Sequence, residues 1–174
     1  MWQEKIRSKI ITEKDLQSIR EKYKDKKIVF TSGTFDVIHA GHITYLNNCK
    51  SLGDVLVVGV GRDSVIKNLK GPSRPINPEN NRIFLVASLQ EVDYVLFNQN
   101  TPETIESSEL DYIKSVSLLK PDFFCINNDN NFLELNKKAV ERLGINFVTM
   151  NRDVPKGIIP TSTTKILDKL KKTT

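Results

Sequence analysis

Gly33-Thr34-Phe35-Asp36-Val37-Ile38-His39-Ala40-Gly41-His42 follows closely on an apolar, β-branched run, Lys27-Ile28-Val29-Phe30-Thr31. The run has strand length and strand composition. Ile43, Leu46 and Leu52 then recur at helical spacing. Gly33 to His42 therefore reads as the first turn from strand to helix in an α/β domain. Such a turn aims backbone N–H groups and a helix N-terminus at an anion. Gly33 and Gly41 let a phosphate approach the main chain closely. His39 and His42 are three residues apart and share one side of the helix start. Two imidazoles there can donate to a phosphate whose charge grows during reaction. The chain has 2 histidines, and both fall in this turn. A metal pair fits less well, because no third His or Cys lies within ligand spacing.

The rest of the chain alternates strands and helices. Strands are expected at Ile28–Thr31, Val55–Val60, Tyr94–Phe97, Phe123–Ile126 and Asn146–Met150. Helices are expected at Ile43–Ser51, Asn80–Leu89, Thr104–Lys114 and Phe132–Arg142, with a last one capped by Ser162. Thr12-Glu13-Lys14-Asp15 resembles a capping box ahead of Leu16, Ile19 and Tyr23, which predicts a short N-terminal helix. This order implies a doubly wound α/β fold, a parallel sheet of about five strands. Val55-Leu56-Val57-Val58 and Phe123-Phe124-Cys125-Ile126 suit strands covered on both faces. Ligands of such sheets bind beyond the carboxyl ends of the strands. Gly33–His42, Gly59–Asp63, Asn127–Asp129 and Asn151–Arg152 all fall there. Gly71–Asn80, with three prolines, reads as the one long irregular loop, a substrate lid or a stiff connection. Asp63 is expected to cap a following helix, or to reach a ribose.

The G-T-F-D-x-x-H-x-G-H string resembles the signature of the cytidylyltransferase-like nucleotidyltransferases. Lys70-Gly71-Pro72-Ser73-Arg74-Pro75-Ile76-Asn77-Pro78, Arg82, Leu89–Val95 and Leu119-Lys120-Pro121-Asp122 look like the D-glycero-D-manno-heptose 1-phosphate adenylyltransferases. Thr161-Ser162-Thr163-Thr164-Lys165-Ile166 resembles the S-T-T-x-I element that closes over the triphosphate. Lys165-Ile166 is also similar to the glycerol-3-phosphate cytidylyltransferases. The resemblance runs in order from Lys27 to Leu167. It implies a Rossmann-like nucleotidyltransferase fold with a core over 27–174 and an N-terminal helical extension over 1–26. Together these would make one domain. It departs at Ile126-Asn127-Asn128-Asp129-Asn130, where the heptose-phosphate enzymes carry K-G-G-D-Y, and at Gly157-Ile158-Ile159-Pro160, where one Gly is usual.

The resemblance implies attack by a phosphate monoester on the α-phosphorus of a nucleoside triphosphate, releasing pyrophosphate. An ATP-dependent heptose 1-phosphate enzyme is expected first. A CTP-dependent enzyme for glycerol 3-phosphate, or a silent nucleotide-binding module, stands second. Such a nucleophile needs positioning and charge stabilisation more than a strong base. His39 and His42 would stabilise charge on the transferring group, and Lys70 would bring a point charge to phosphate. Arg152 could grip phosphate bidentately. Ser162, Thr163 and Thr164 would add donors at a helix start. Thr34 and Phe35 would pack against the nucleotide. Asp36 could orient the turn or help hold Mg²⁺ through water. Asn127 and Asp129 could read base or ribose. Arg74 and Arg82 could touch substrate or sit on the surface in ion pairs. Mg²⁺ is expected to travel with the triphosphate, with no dedicated protein metal site.

Composition fits this frame. The chain has 174 residues, 39% hydrophobic and 27% charged, an ordinary globular balance. The net charge of +5 gathers at the ends, and no basic stripe is interleaved with aromatics, so nucleic acid is not the expected partner. No apolar run approaches membrane-spanning length, so no membrane partner is expected either. The first residues lack a signal-peptide core, which argues against export. Cys49 and Cys125 suit a reducing compartment as packed small hydrophobes. The expected setting is cytoplasmic. A homodimer is implied by the resemblance alone.

Overall fold

The computed structural model describes residues 1–98 and 110–172. Its centre is a parallel sheet of β1 (Ile28–Gly33), β2 (Val55–Val60), β3 (Tyr94–Phe97), β4 (Phe123–Asn127) and β5 (Asn146–Met150). All four pairings are parallel, in the order β3-β2-β1-β4-β5. Side chains alternate between faces along each strand, and both faces are covered. Ile28, Phe30, Val55, Val57, Leu96, Phe124 and Ile126 join one apolar layer. Val29, Leu56, Val58, Val60, Val95 and Cys125 join the other.

Helices α1 (Trp2–Arg7) and α2 (Leu16–Lys22) precede the sheet. Along it run α3 (Ala40–Lys50), α4 (Asp63–Lys70), α5 (Glu79–Ala87), α6 (Ile113–Leu119), α7 (Leu133–Glu141) and α8 (Thr163–Lys171). Leu16, Ile19, Val116, Leu119 and Val140 of α2, α6 and α7 pack on the first face. Tyr45, Leu46, Cys49, Ile83 and Val86 of α3 and α5 pack on the second. The Thr12–Asp15 capping box forms: Asp15 Oδ2 accepts from Thr12 N and from Thr12 Oγ1, both at 2.8 Å. Isolated pairing of Ile10 with Val95 adds the N-terminal segment to the sheet edge.

Several expectations change. Helix α1 was not anticipated, and α4 only as the helix that Asp63 was expected to cap. α4 spans 8 residues and rests on the buried Val65 and Ile66. Lys70 is thus the last residue of a helix. The helix expected over Thr104–Lys114 falls mostly outside the described residues, and α6 begins at Ile113. Residues 71–78 are irregular as expected, with Arg74-Pro75 in cis, but 151–162 is a second long irregular stretch.

Chain direction reverses across the sheet between β1 and β4. The crevice at that switch point lies beyond their carboxyl ends, and the candidate residues meet there.

Candidate functional site

A cavity of about 940 Å³ opens at this crevice. All fourteen candidates except Gly41 line it: Gly33, Thr34, Phe35, Asp36, His39, His42, Lys70, Asn127, Asp129, Arg152, Ser162, Thr163 and Thr164, with Arg74 beside them. Gly41 sits one layer behind. A Cβ there would lie 3.1 Å from His39 Cε1 and 3.2 Å from its Nδ1. Glycine lets the His39 ring lie against the first turn of α3.

His39 is the extended residue that precedes α3, and His42 is the third residue within it. Their ring centroids are 4.0 Å apart. His39 N donates to His42 Nδ1 at 3.4 Å. An accepting Nδ1 leaves the neutral His42 proton on Nε2, so Nε2–H is the donor this ring has for a ligand. Phe35 supports it from beneath, at 5.5 Å between centroids. Phe35 has a left-handed backbone (φ 48) and is buried. Its ring fills the space that a side chain on Gly33 would need, since a Cβ there would stand 2.9 Å from Phe35 Cε2. Phe35 therefore packs under the histidines and into the core as well as facing the cavity.

Both imidazoles are held neutral. Burial lowers the His42 pKa to about 3, helped by His39, Arg152 and Lys70. His39 is lowered by burial and then by Arg152. In the unfolded chain an imidazole protonates near pH 6.5. Between that value and about 3 the unfolded state carries the extra proton at position 42. Folding stability should therefore fall as pH drops below about 6.5, by at most about 1.4 kcal/mol per unit for this group. Thermal melts from pH 7 to 5 check this. A His42→Asn variant, which has nothing to titrate there, should lose less melting temperature over that range. Parallel slopes would refute it.

The other polar groups hold one another. Asp36 accepts from Ile76 N at 2.8 and 3.1 Å, from Asn77 N at 2.8 Å and from Arg74 Nη2 at 2.7 Å. Its carboxylate is turned into the 71–78 segment, a loop-anchoring role beside the two expected for it, orienting the turn and helping to hold Mg²⁺. Arg74 Nε is buried without a hydrogen-bond partner. Arg82 is neither on the surface nor in the cavity. It is fully buried, donating to Asn77 O (2.9 Å), Thr34 O (2.6 Å), Gly61 O (2.7 Å) and Asp63 Oδ1 (2.8 Å). Asp63 consequently receives Arg82 instead of capping α4.

At the ends of β4 and β5, Arg152 donates to both oxygens of Asp129, and Asn127 Nδ2 donates to Asp129 Oδ1. Asn127 Oδ1 is buried and unpartnered. Asn128 donates to Asn151 Oδ1, and Asn130 Oδ1 accepts from Phe132 N at 2.8 Å, turning the chain into α7. Ser162 caps α8 as expected, accepting from Lys165 N at 3.2 Å. Thr163 Oγ1 donates to Val37 O at 3.4 Å, which ties the α8 start to the Gly33–His42 turn. Positive charge from Lys70 and Arg152, neutral imidazole donors and a capped helix start surround one cavity. The arrangement can bind a polyphosphate and stabilise charge developing on it.

Asn98, Asp111, Tyr112 and Asn136 were not anticipated. They are buried polar residues beside the cavity. Asn98 directly follows β3, so the strand-end rule applied to that strand would have found it.

The family described as cytidylyltransferase-like matches residues 30–169. The bifunctional protein HldE of Helicobacter hepaticus is 44% identical over 128 residues, covering 73% of this chain and 24% of that protein. HldE of Helicobacter pylori strain P12 is 40% identical over 161 residues, 91% of this chain and 31% of that protein. The chain thus spans about a quarter to a third of these curated relatives. A solved lipopolysaccharide core biosynthesis protein from Thermoplasma volcanium is 37% identical with a TM-score of 0.60, covering 72% of this chain and 97% of that one. A pantoate-beta-alanine ligase from Francisella tularensis, 20% identical with a TM-score of 0.60 over 93% of this chain and 76% of that one, shares the fold.

Proposed function

Since the chain belongs to the cytidylyltransferase-like family of nucleotidyltransferases, we propose that it joins a nucleoside triphosphate to a sugar or polyol phosphate. An acceptor phosphate oxygen attacks the α-phosphorus. The bond from that phosphorus to the bridging oxygen breaks, and pyrophosphate leaves with the electron pair. The observation that carries this reading is the neutral His39/His42 pair in a cavity shared with Lys70, Arg152 and the α8 start. His42 Nε2–H and His39 donate to the phosphate oxygens where charge grows. Lys70 neutralises phosphate charge. Ser162, Thr163 and Thr164 hold the β- and γ-phosphates. Arg152 reaches phosphate by exchanging Asp129 for it. The unpartnered Asn127 Oδ1 suits a donor on base or ribose.

ATP and a heptose 1-phosphate are the favoured substrates. The Lys70–Pro78 and Leu89–Val95 stretches support this, as does likeness to a lipopolysaccharide core biosynthesis protein. CTP with glycerol 3-phosphate is the second reading, on Lys165-Ile166. We also propose a homodimer in a cytoplasmic setting. Among the described residues no helix is long and apolar enough to cross a membrane, and the thiols of Cys49 and Cys125 are free and buried.

Magnesium enters as part of the nucleotide substrate. Among the described residues no group of three or more His, Cys, Asp or Glu stands together, and Mg²⁺ commonly bridges phosphates while keeping its waters. Pyrophosphate release should therefore be seen with one triphosphate of the four, given a sugar or polyol phosphate, and should stop in excess chelator. No release with any pair, or full release in chelator, would overturn the reading.

A further inference from the structure

Beside the main cavity lies a second, smaller one of about 110 Å³. Ser32, Gly33, Thr34 and Ile126 line both, so the two adjoin at the ends of β1 and β4. The sheet's core is otherwise apolar, yet four polar side chains gather here almost without exposure: Asn98 (1%), Asp111 (7%), Tyr112 (3%) and Asn136 (1%). Burying such groups costs free energy unless they are paired. They are braced against one another. Asn98 Nδ2 donates to Ser32 Oγ at 2.7 Å and to Asp111 Oδ1 at 2.8 Å, and Tyr112 OH donates to Asn136 Oδ1.

The chemistry of the two cavities differs. Lys70, Arg152 and both histidines line the large one. Among the described residues lining the small one there is no Lys, Arg or His. It offers a carboxylate, amides and hydroxyls above an apolar floor of Phe124 and Ile126. That combination suits neutral hydroxyls on a short carbon chain, not phosphate. Each carboxylate oxygen has lone pairs for more than one donor, so Asp111 can accept from a hydroxyl while it holds Asn98. The volume equals roughly three to four waters, enough for a polyol fragment of two or three carbons.

We propose that this side pocket is the subsite for the hydroxyl-bearing end of the phosphorylated acceptor. The acceptor's phosphate would stay by the cations of the main cavity. The inference rests on the nucleotidyl-transfer reading above, and it adds where the carbon chain of the acceptor goes and what reads it.

Gly61 gives a clean probe. A Cβ there would face Asp111 Oδ2 and Ile66 Cγ1, each at 3.6 Å, an ordinary contact. Its backbone bonds, N to Gly33 O and O from Arg82, use main-chain atoms that alanine keeps. Gly61→Ala should therefore fold and narrow the pocket. Pyrophosphate release is measured for wild type, Gly61→Ala and Asp111→Asn. The acceptors are heptose 1-phosphate, glycerol 3-phosphate and methyl phosphate, which has no hydroxyl on carbon. Calorimetric titration of the same phosphates runs alongside. We expect both variants to raise KM for the best polyol acceptor at least tenfold. KM for the nucleotide and turnover of methyl phosphate should stay within about twofold. Unchanged polyol KM in the folded variants would overturn the subsite while leaving the transfer reading standing. If the wild type releases no pyrophosphate, the transfer reading fails and titration decides the subsite. Weaker polyol phosphate binding by Gly61→Ala supports it. Equal binding, or none to wild type, overturns it.

Discussion

Replacing His42 by Ala is expected to lower kcat by at least ~10²-fold with the fold intact, a loss of about 2.7 kcal/mol in transition-state stabilisation. The ring lines the cavity, its Nδ1 is engaged by His39 N, and its remaining proton is on Nε2. Alanine removes that donor. It also removes the ring that His39 rests beside, 4.0 Å away between centroids. A His39→Ala variant should fall by a similar factor, and the double variant by less than the product, because the rings act together. Steady-state kinetics with circular dichroism check this. A folded His42→Ala enzyme that keeps kcat within about threefold of wild type would remove His42 from the chemistry, and the same result for His39→Ala would remove His39.

The second large effect is on stability. Arg82→Met should destabilise the fold by about 3–5 kcal/mol, the scale found when one partner of a buried charge pair is removed. Thr34 O, Gly61 O and Asn77 O lose their guanidinium donor, and Asp63 loses its partner across a side chain that has no exposure at all. For a chain of this size that corresponds to a drop of roughly 10 °C in melting temperature. Arg82→Lys, with one charge but no planar fork, should recover only part of it. A loss below about 1 kcal/mol in urea unfolding would contradict this account.

The strands were legible because they are short, mostly apolar runs, and Val55–Val60, Tyr94–Phe97 and Asn146–Met150 match the expectation residue for residue, although only Val55–Val60 of the three is buried throughout and Asn146–Met150 is partly exposed. The phosphate turn was legible because its glycines and histidines are close together in the chain. What stayed hidden depends on distance along the chain. Arg82 reaches Thr34, 48 residues away, and Asp36 reaches Ile76, 40 residues away. A charged residue carries no local mark saying whether its partner is substrate, solvent or a distant carbonyl. Arg152 and Asp129 were each read toward a ligand. Their mutual ion pair, 23 residues apart, shows only once β4 and β5 lie side by side.

The Asp36 anchor makes the cavity rim unequal. On one side, residues 74–77 are pinned to the phosphate turn by a buried carboxylate and, through Asn77 O, by Arg82. On the other, residues 154–160 are exposed but for Val154, and Gly157 has φ 90. Within that stretch Ile158 N donates to Pro155 O at 3.0 Å. Such a segment opens at little free-energy cost, whereas the pinned side opens only with the core. A ligand held by Arg152 and Ser162 must therefore order the 154–160 segment between them while using the pinned side as it stands. The entropy lost on binding, about 1–2 kcal/mol per residue fixed, is concentrated between β5 and α8. Affinity can accordingly be tuned by stiffening that segment alone, with no residue that touches the ligand being altered.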